Sequence, residues 1–212
     1  MRGRFITFEG PEGGGKTTQA KRLIESLKAR GVETLYAREP GGTKTGEAIR
    51  GILQHDHAGE PIVPEAEVLL FEASRAQLTA RVIRPALEAG TWVVCDRFAD
   101  STTAYQGYGR LFGADRMILL NDFATAGLAP DVTFLLDLTL DAGFGRLARR
   151  QADTGSGPDR MEREERDFHE RVRAGYLDLA RRWPGRFITI DAARSADEVA
   201  ADVWKHVERI FH

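Results

Sequence analysis

Eight residues near the start, Gly10-Pro11-Glu12-Gly13-Gly14-Gly15-Lys16-Thr17, fit the pattern G-x-x-x-x-G-K-[ST]. No other stretch constrains the chain so closely. Backbone without Cβ atoms can wrap tightly around an anion. Ahead of the motif, Phe5-Ile6-Thr7-Phe8 is rich in strand formers. Behind it, Ala20, Leu23, Ile24 and Leu27 recur at helical spacing. Strand, glycine turn and helix are the context this motif requires. The turn N–H groups and the helix N-terminus offer a positive end to phosphate oxygens. Lys16 adds a mobile cation for β- and γ-phosphates, and Thr17 a hydroxyl for Mg²⁺. Gly10, Gly13, Gly14, Gly15, Lys16, Thr17 and Thr18 are therefore the candidate phosphate ligands. A flexible glycine loop with a surface lysine is the plainer alternative, and the flanking pattern argues against it.

A chain of 212 residues suits one domain with a sizeable core. A hydrophobic fraction of 42% and a charged fraction of 29% are ordinary for a soluble globular protein. The net charge of -2 denies the broad basic field that a nucleic-acid polymer calls for, whereas a local arginine cluster suffices for a small anion. The single cysteine, Cys95, rules out an internal disulfide and a cysteine-held zinc site, and suits a reducing compartment. The N-terminal apolar run is short and enters the glycine loop directly, as a core strand rather than a signal peptide. No stretch reaches transmembrane length free of charges. The expectation is a soluble cytoplasmic protein.

Strands are predicted over 4–9, 32–37, 91–95, 132–137 and 187–191. Helices are predicted over 16–30, 45–53, from 65 onward, and over 114–126, 140–148, 163–182 and 196–211. Strand-helix-strand alternation calls for a parallel sheet flanked by helices. Ligands in such sheets gather beyond the C-terminal strand ends. Arg38 leaves the second strand there, to meet an anion or to be solvated, and Arg50 stands in the next helix with the same two alternatives. Asp96-Arg97 caps the third strand, where an acid beside a phosphate loop coordinates Mg²⁺.

In the helix after Glu65, Leu69, Ala73 and Ala76 share the face assigned to the core. Phe71 and Arg75 point the other way, either as a pocket for a base or as a packing contact. Ser101 to Gly107 carries hydroxyls and an amide that suit a sugar or base, or a helix cap. His55 and His57 lack a third ligand for a metal, and His169 falls on the polar side of its helix. The stretch 149–160 holds Arg149, Arg150 and Arg160 around Gly155, Gly157 and Pro158. It reads as a mobile lid or a charged loop.

These residues in this order resemble bacterial thymidylate kinases. The resemblance spans the chain and is carried by Phe8-Glu9-Gly10, Arg38-Glu39-Pro40-Gly41-Gly42-Thr43, Phe71-Glu72-Ala73-Ser74-Arg75, Asp96-Arg97-Phe98, Ala104-Tyr105-Gln106-Gly107, Asp159-Arg160 and Arg173-Ala174-Gly175-Tyr176-Leu177. It implies a single P-loop nucleoside-monophosphate kinase domain over 1–212, with a lid at about 149–160. It further implies ATP and dTMP as ligands, Mg²⁺ as cofactor and a homodimer, while charge and hydropathy point to no membrane and no nucleic-acid partner.

By the same resemblance, Lys16 holds ATP phosphates, and Thr17 with Asp96 organises Mg²⁺. Glu12 lies near the acceptor sugar, and Arg38 and Arg97 grip its phosphate. Phe71 stacks on thymine, Arg75 donates to O4, Thr102 and Gln106 finish the pocket, and Tyr105 crowds a ribose 2'-hydroxyl.

The phosphate loop lacks the arginine that some members carry. The transition-state arginine is then expected from the lid, with Arg150 first, Arg149 next and Arg160 anchoring the far end. A kinase for another monophosphate and a nucleotide-dependent switch remain the alternatives. Arg38 and Arg97 favour an acceptor already bearing phosphate, and the lack of an Asn-Lys-x-Asp segment weighs against a GTP switch.

Overall fold

The computed structural model describes residues 2–54, 60–155 and 157–209. Among these, five strands form one sheet: β1 (Phe5–Glu9), β2 (Thr34–Arg38), β3 (Trp92–Asp96), β4 (Val132–Asp137) and β5 (Phe187–Asp191). Their order is β2-β3-β1-β4-β5, and every pairing is parallel. The first strand is central. The chain builds to one side of it, then crosses to the other, so the loop after β1 sits where the winding reverses. That point is where open parallel sheets bind ligands.

Side chains alternate across the sheet, and both faces are covered. Ile6 and Phe8 point to one layer, where α1 (Lys16–Lys28) and α9 (Ala196–Glu208) contribute Leu23, Leu27, Val199 and Val203. The Phe8 and Phe134 rings stack there with centroids 5.3 Å apart. Phe5, Val93 and Cys95 point to the opposite layer and meet Leu78, Ile83 and Leu87. Beside them, Phe168, Val172, Tyr176 and Leu179 of α8 (Arg166–Arg182) pack under Leu135 as the expected seam. The α/β reading therefore holds, with helices on both faces.

The helix expected after Glu65 is divided. α3 (Pro64–Leu78) passes into a π-helical turn, Thr79–Ile83, and then α4 (Arg84–Glu88). Pro85 in α4 offers no N–H to the preceding turn, and a widened turn relieves its ring. Leu69 is 62% exposed and Ala73 is also outward, which overturns the inward face assigned to them. The buried side carries Glu67, Glu72 and Arg75 instead. Periodicity finds a stripe but does not say which side of it meets protein, and here charged groups go inward because they neutralise one another.

After α2 (Lys44–Gln54), His55 and His57 lie outside the described residues, as do residues 210 and 211 of the last predicted helix. α5 (Ala99–Thr102) continues as a π-helical segment, Thr103–Gly109, and α6 (Ala114–Thr125) follows. α7 spans Leu140–Thr154, well past the predicted end at 148. Arg149, Arg150, Gln151 and Ala152 are all good helix formers, and Gly155, with φ 66°, ends the helix in a left-handed cap. His169 is buried rather than on a polar side. Its ring lies against Phe144 and Phe168, and Nε2 has no partner among the described residues.

Close approach of α8 to the π-helical segment requires Gly175. A Cβ there would lie 2.7 Å from the Tyr108 ring. Replacing glycine with alanine in a helix gains about 1 kcal/mol of propensity, while overpacking costs about 1–3 kcal/mol. Gly175→Ala is expected to destabilise the fold, seen as a lower urea midpoint with an unchanged slope. A raised midpoint would mean that Tyr108 moves aside freely.

Candidate active site

The loop after β1 closes on its neighbours through glycines. Gly10, Gly13 and Gly15 have φ of 137°, 73° and 84°. A Cβ on Gly10 would lie 2.4 Å from the Leu136 carbonyl oxygen of β4, and one on Gly13 2.5 Å from the Gly143 oxygen of α7. Gly14 is buried beneath. At the head of α1, no side chain caps the helix among the described residues, so its first N–H groups remain for an anion. Lys16 folds back over the loop, and Nζ donates to the carbonyls of Gly10 and Pro11 at 2.9 and 2.8 Å. Burial and then Arg97 bring its pKa down from 10.5 to about 8, against the pull of Glu12 and Asp96.

At the end of β3, the Thr17 hydroxyl hydrogen-bonds the Asp96 carboxylate, and Tyr36 OH donates to the same oxygen at 3.4 Å. A hydroxyl and a carboxylate side by side at the loop mouth are hard oxygen ligands and fit Mg²⁺, which keeps several waters and takes few protein ligands. Thr18 lines the same opening.

From there a cavity of about 620 Å³ runs toward α3, a size that suits small-molecule sites. Its middle is cationic. Arg97 stands in left-handed backbone, φ 67°, which is rare for a residue with a side chain. Its Nη2 donates to Glu12 Oε1 at 2.5 Å, its guanidinium lies over the Tyr105 ring, and Tyr105 OH donates to the same Glu12 oxygen at 2.7 Å. Burial alone would raise Glu12, but Arg97, Lys16 and the Tyr105 bond outweigh it and hold the carboxyl down at about 2. Arg38 makes a two-pronged pair with Glu47 at 2.8 and 2.9 Å, and Arg50 reaches the Pro40 carbonyl beside it.

The far end holds Phe71, half-buried, with Thr102 and Gln106. Arg75 lines this end too but is not displayed away from the core: it is 1% exposed. Its five N–H groups meet Glu39 twice, Glu72, Asn121 and the Phe98 carbonyl. Burial disfavours its charge, but Glu39 and Glu72 outweigh it and push the guanidinium pKa up. Burial pushes Glu39 up to about 7 in spite of Arg75, and its Oε1 has no partner among the described residues.

From α7, Arg150 borders the cavity, and its guanidinium pairs with Glu162. Arg149 is exposed on the outer side of α7, and it is Arg146 that borders the cavity with Arg150. Arg146 went unnoticed because the helix was ended too early. Once α7 runs to Thr154, positions 146 and 150 share a face with Leu147 between them. Arg160 donates to the Leu53 carbonyl and to Glu67, tying down the segment that follows α7. Tyr36 escaped notice and Glu39 was given no role of its own, since nothing local marks either as facing a cavity.

A family model described as thymidylate kinase matches residues 8–203. Thymidylate kinase of Pelotomaculum thermopropionicum is 49% identical over 211 residues, covering 100% of this chain and 95% of the relative. That of Deinococcus radiodurans is 48% identical, covering 99% and 98%. The crystal structure of thymidylate kinase from Ehrlichia chaffeensis is similar with a TM-score of 0.77 at 33% identity, covering 98% of this chain and 99% of that one.

The depressed Lys16 pKa gives a signed expectation. Phosphate oxygens raise the lysine pKa above its value of about 8 in the empty loop. Binding of ATP near pH 8 should therefore draw protons from solvent, and the uptake by Lys16 should fade toward pH 6, where the lysine is already charged. Titration calorimetry in two buffers of different ionisation heat measures this. Zero uptake at pH 8 would mean a fully charged lysine in the empty loop.

Proposed function

The chain belongs to the thymidylate kinase family, and from that premise we propose that it transfers the γ-phosphoryl group of ATP to dTMP, giving dTDP and ADP. One observation carries the reading beyond family membership. A single cavity joins a phosphate loop to an aromatic-and-arginine pocket, with paired arginines between them. That is the layout for a triphosphate at one end and a nucleoside monophosphate at the other.

A phosphate oxygen of dTMP attacks the γ-phosphorus in line, and the bond to the bridging oxygen of ADP breaks as the new bond forms. The loop N–H groups and Lys16 neutralise the charge on the donor. Arg38 and Arg97 receive the acceptor phosphate in exchange for Glu47 and Glu12. Each guanidinium trades one anion for another, so little further desolvation is required. Phe71 stacks on the base. Donation to O4 asks Arg75 to share one of its five bonds, the longest being that to Phe98 at 3.3 Å. Tyr105 stays beside the sugar through Glu12. Thr17 and Asp96 would hold Mg²⁺, which would supply charge neutralisation on the donor phosphates. Arg150 swings from Glu162 to the transferring group, with Arg146 beside it, while Arg160 holds the far side of a lid over about 149–160. The whole chain acts as one kinase domain.

The outer face of α3 and α6 is apolar. Leu69, Leu119 and Phe123 are 62%, 72% and 86% exposed on helices packed side by side. Large apolar groups clustered like this mark an interface, and we assign it to a second copy of the chain. No helix among the described residues is long and apolar enough to cross a membrane. With its one cysteine buried and unpaired, the enzyme suits the cytoplasm.

A panel of nucleoside monophosphates with ATP and Mg²⁺, followed by ADP release and product identity, tests the activity. Turnover confined to another acceptor would sink the dTMP reading. Arg150→Ala should cut kcat on the order of a thousandfold with little change in the KM for dTMP, as expected for a cation acting in the transition state. Arg149→Ala should do far less. A kcat within about threefold of the parent for Arg150→Ala would return the role to another residue, since that is well under the ~1.4 kcal/mol of one factor of ten. Phe123→Asp should convert a dimer to a monomer in light scattering. A monomeric parent would remove the interface.

A further inference from the structure

Glu67 is a carboxylate with 1% of its side chain exposed, on the inward side of α3, one turn before Phe71. It takes bonds from three directions. Gln106 Nε2 donates to Oε1 at 2.7 Å, Arg110 reaches both oxygens at 3.3 and 3.1 Å, and Arg160 Nη1 donates to Oε2 at 2.5 Å. Burial works against the charged form, yet the bonds from Arg110 and Gln106 and the charge of Arg160 lower its pKa, so it stays ionised at neutral pH.

An ionised carboxylate only accepts hydrogen bonds, whereas a carboxamide has a donor end and an acceptor end. Next to Glu67, only the NH₂ end of Gln106 is tolerated. Gln106 is 1% exposed and borders the base end of the cavity, which leaves its Oε1 as the end available there. Four residues earlier, Thr102 Oγ1 is buried on the same cavity wall without a partner among the described residues. A hydroxyl meets either polarity because its hydrogen rotates. A pinned carbonyl oxygen meets only a donor.

We propose that Glu67, which touches no substrate, is a positioning residue for base selection: it locks the Gln106 amide so that the base pocket offers an acceptor to the ring N3 position. The inference rests on the dTMP reading and deepens it. A pyrimidine with N–H at position 3, thymine or uracil, satisfies the pinned oxygen. Cytosine brings a lone pair at N3 and leaves two acceptors facing each other. Sites built to hydrogen-bond a substrate group discriminate strongly against analogues that lack it.

The full chain is assayed with ATP and Mg²⁺ against dTMP, 5-methyl-dCMP and the 3-deaza analogue of dTMP, which keeps the methyl, has carbon at position 3 and carries its 4-oxygen as a hydroxyl. For the parent, the 3-deaza analogue should lose at least tenfold in kcat/KM. In Glu67→Gln the new amide can present either end, so Gln106 is free to turn. The preference for dTMP over 5-methyl-dCMP should then fall at least tenfold.

Glu67→Asp keeps an acceptor-only partner and should retain the preference. Arg110→Gln weakens the same cluster without changing what the Gln106 amide faces, so it should retain the preference even if its Tm drops. A preference unchanged within twofold in Glu67→Gln overturns the proposal, as does an equal loss in Arg110→Gln, which would mean general loosening. Should Glu67→Gln fail to fold, the parent decides: full activity on the 3-deaza analogue overturns the proposal too. A parent inactive on dTMP but active on another monophosphate would instead remove the dTMP reading beneath it.

Discussion

Neutralisation of cations inside a half-closed cavity is the constraint on which the rest of this structure depends. Lys16, Arg38, Arg75, Arg97 and Arg160 all border one space. Unpaired, such a set would repel itself and resist leaving water. Each instead faces an internal acceptor: loop carbonyls for Lys16, Glu47 for Arg38, Glu39 and Glu72 for Arg75, Glu12 for Arg97, and Glu67 for Arg160. The partners differ in permanence. Glu39, Glu72 and Glu67 are buried, so their pairs are scaffold. Glu47 is 45% exposed and can yield its arginine to a phosphate. The cavity is thus held in a shape ready for anions.

Shape follows from backbone contact as much as from charge. The glycine loop lies so close to β4 and α7 that any side chain on Gly10 or Gly13 would strike a carbonyl oxygen. That closeness fixes where the α1 N-terminus points. It also brings α7, and with it Arg146 and Arg150, to the mouth of the loop. On the other side, the π-helical segment at Thr103–Gly109 aims Tyr105 and Gln106 into the cavity together. π-helical geometry often appears at functional sites because a wider turn re-aims side chains that a regular helix would send outward.

Electrostatic order extends to the base end. Arg75 carries five bonds and Gln106 is pinned by Glu67, so neither is free to adapt to whatever base enters. A rigid pattern of donors and acceptors discriminates because a mismatched base leaves buried groups unpaired. In the proposed reading, the aromatic ring of Phe71 adds stacking, which favours any base, while the polar groups around it choose among them.

Much of this was legible along the chain. Motif residues and strand ends identified Lys16, Thr17, Asp96 and Arg97, because their chemistry depends on local context: a glycine turn, a helix start, an apolar strand that stops. The five strands and the parallel sheet followed from alternation and spacing for the same reason. What the chain could not reveal by itself were the pairings between distant residues. Arg75 looked like a displayed side chain until tertiary packing set Glu39 and Asn121 against it, and Leu69 looked like core until its face proved to be outward. Arg146 and the inward carboxylate of Glu67 belonged to no motif. Local sequence determines which backbone forms and where chemistry-bearing groups are mounted. Only the folded chain decides whether a charged residue is buried or exposed, because that depends on whether an opposite charge arrives from elsewhere.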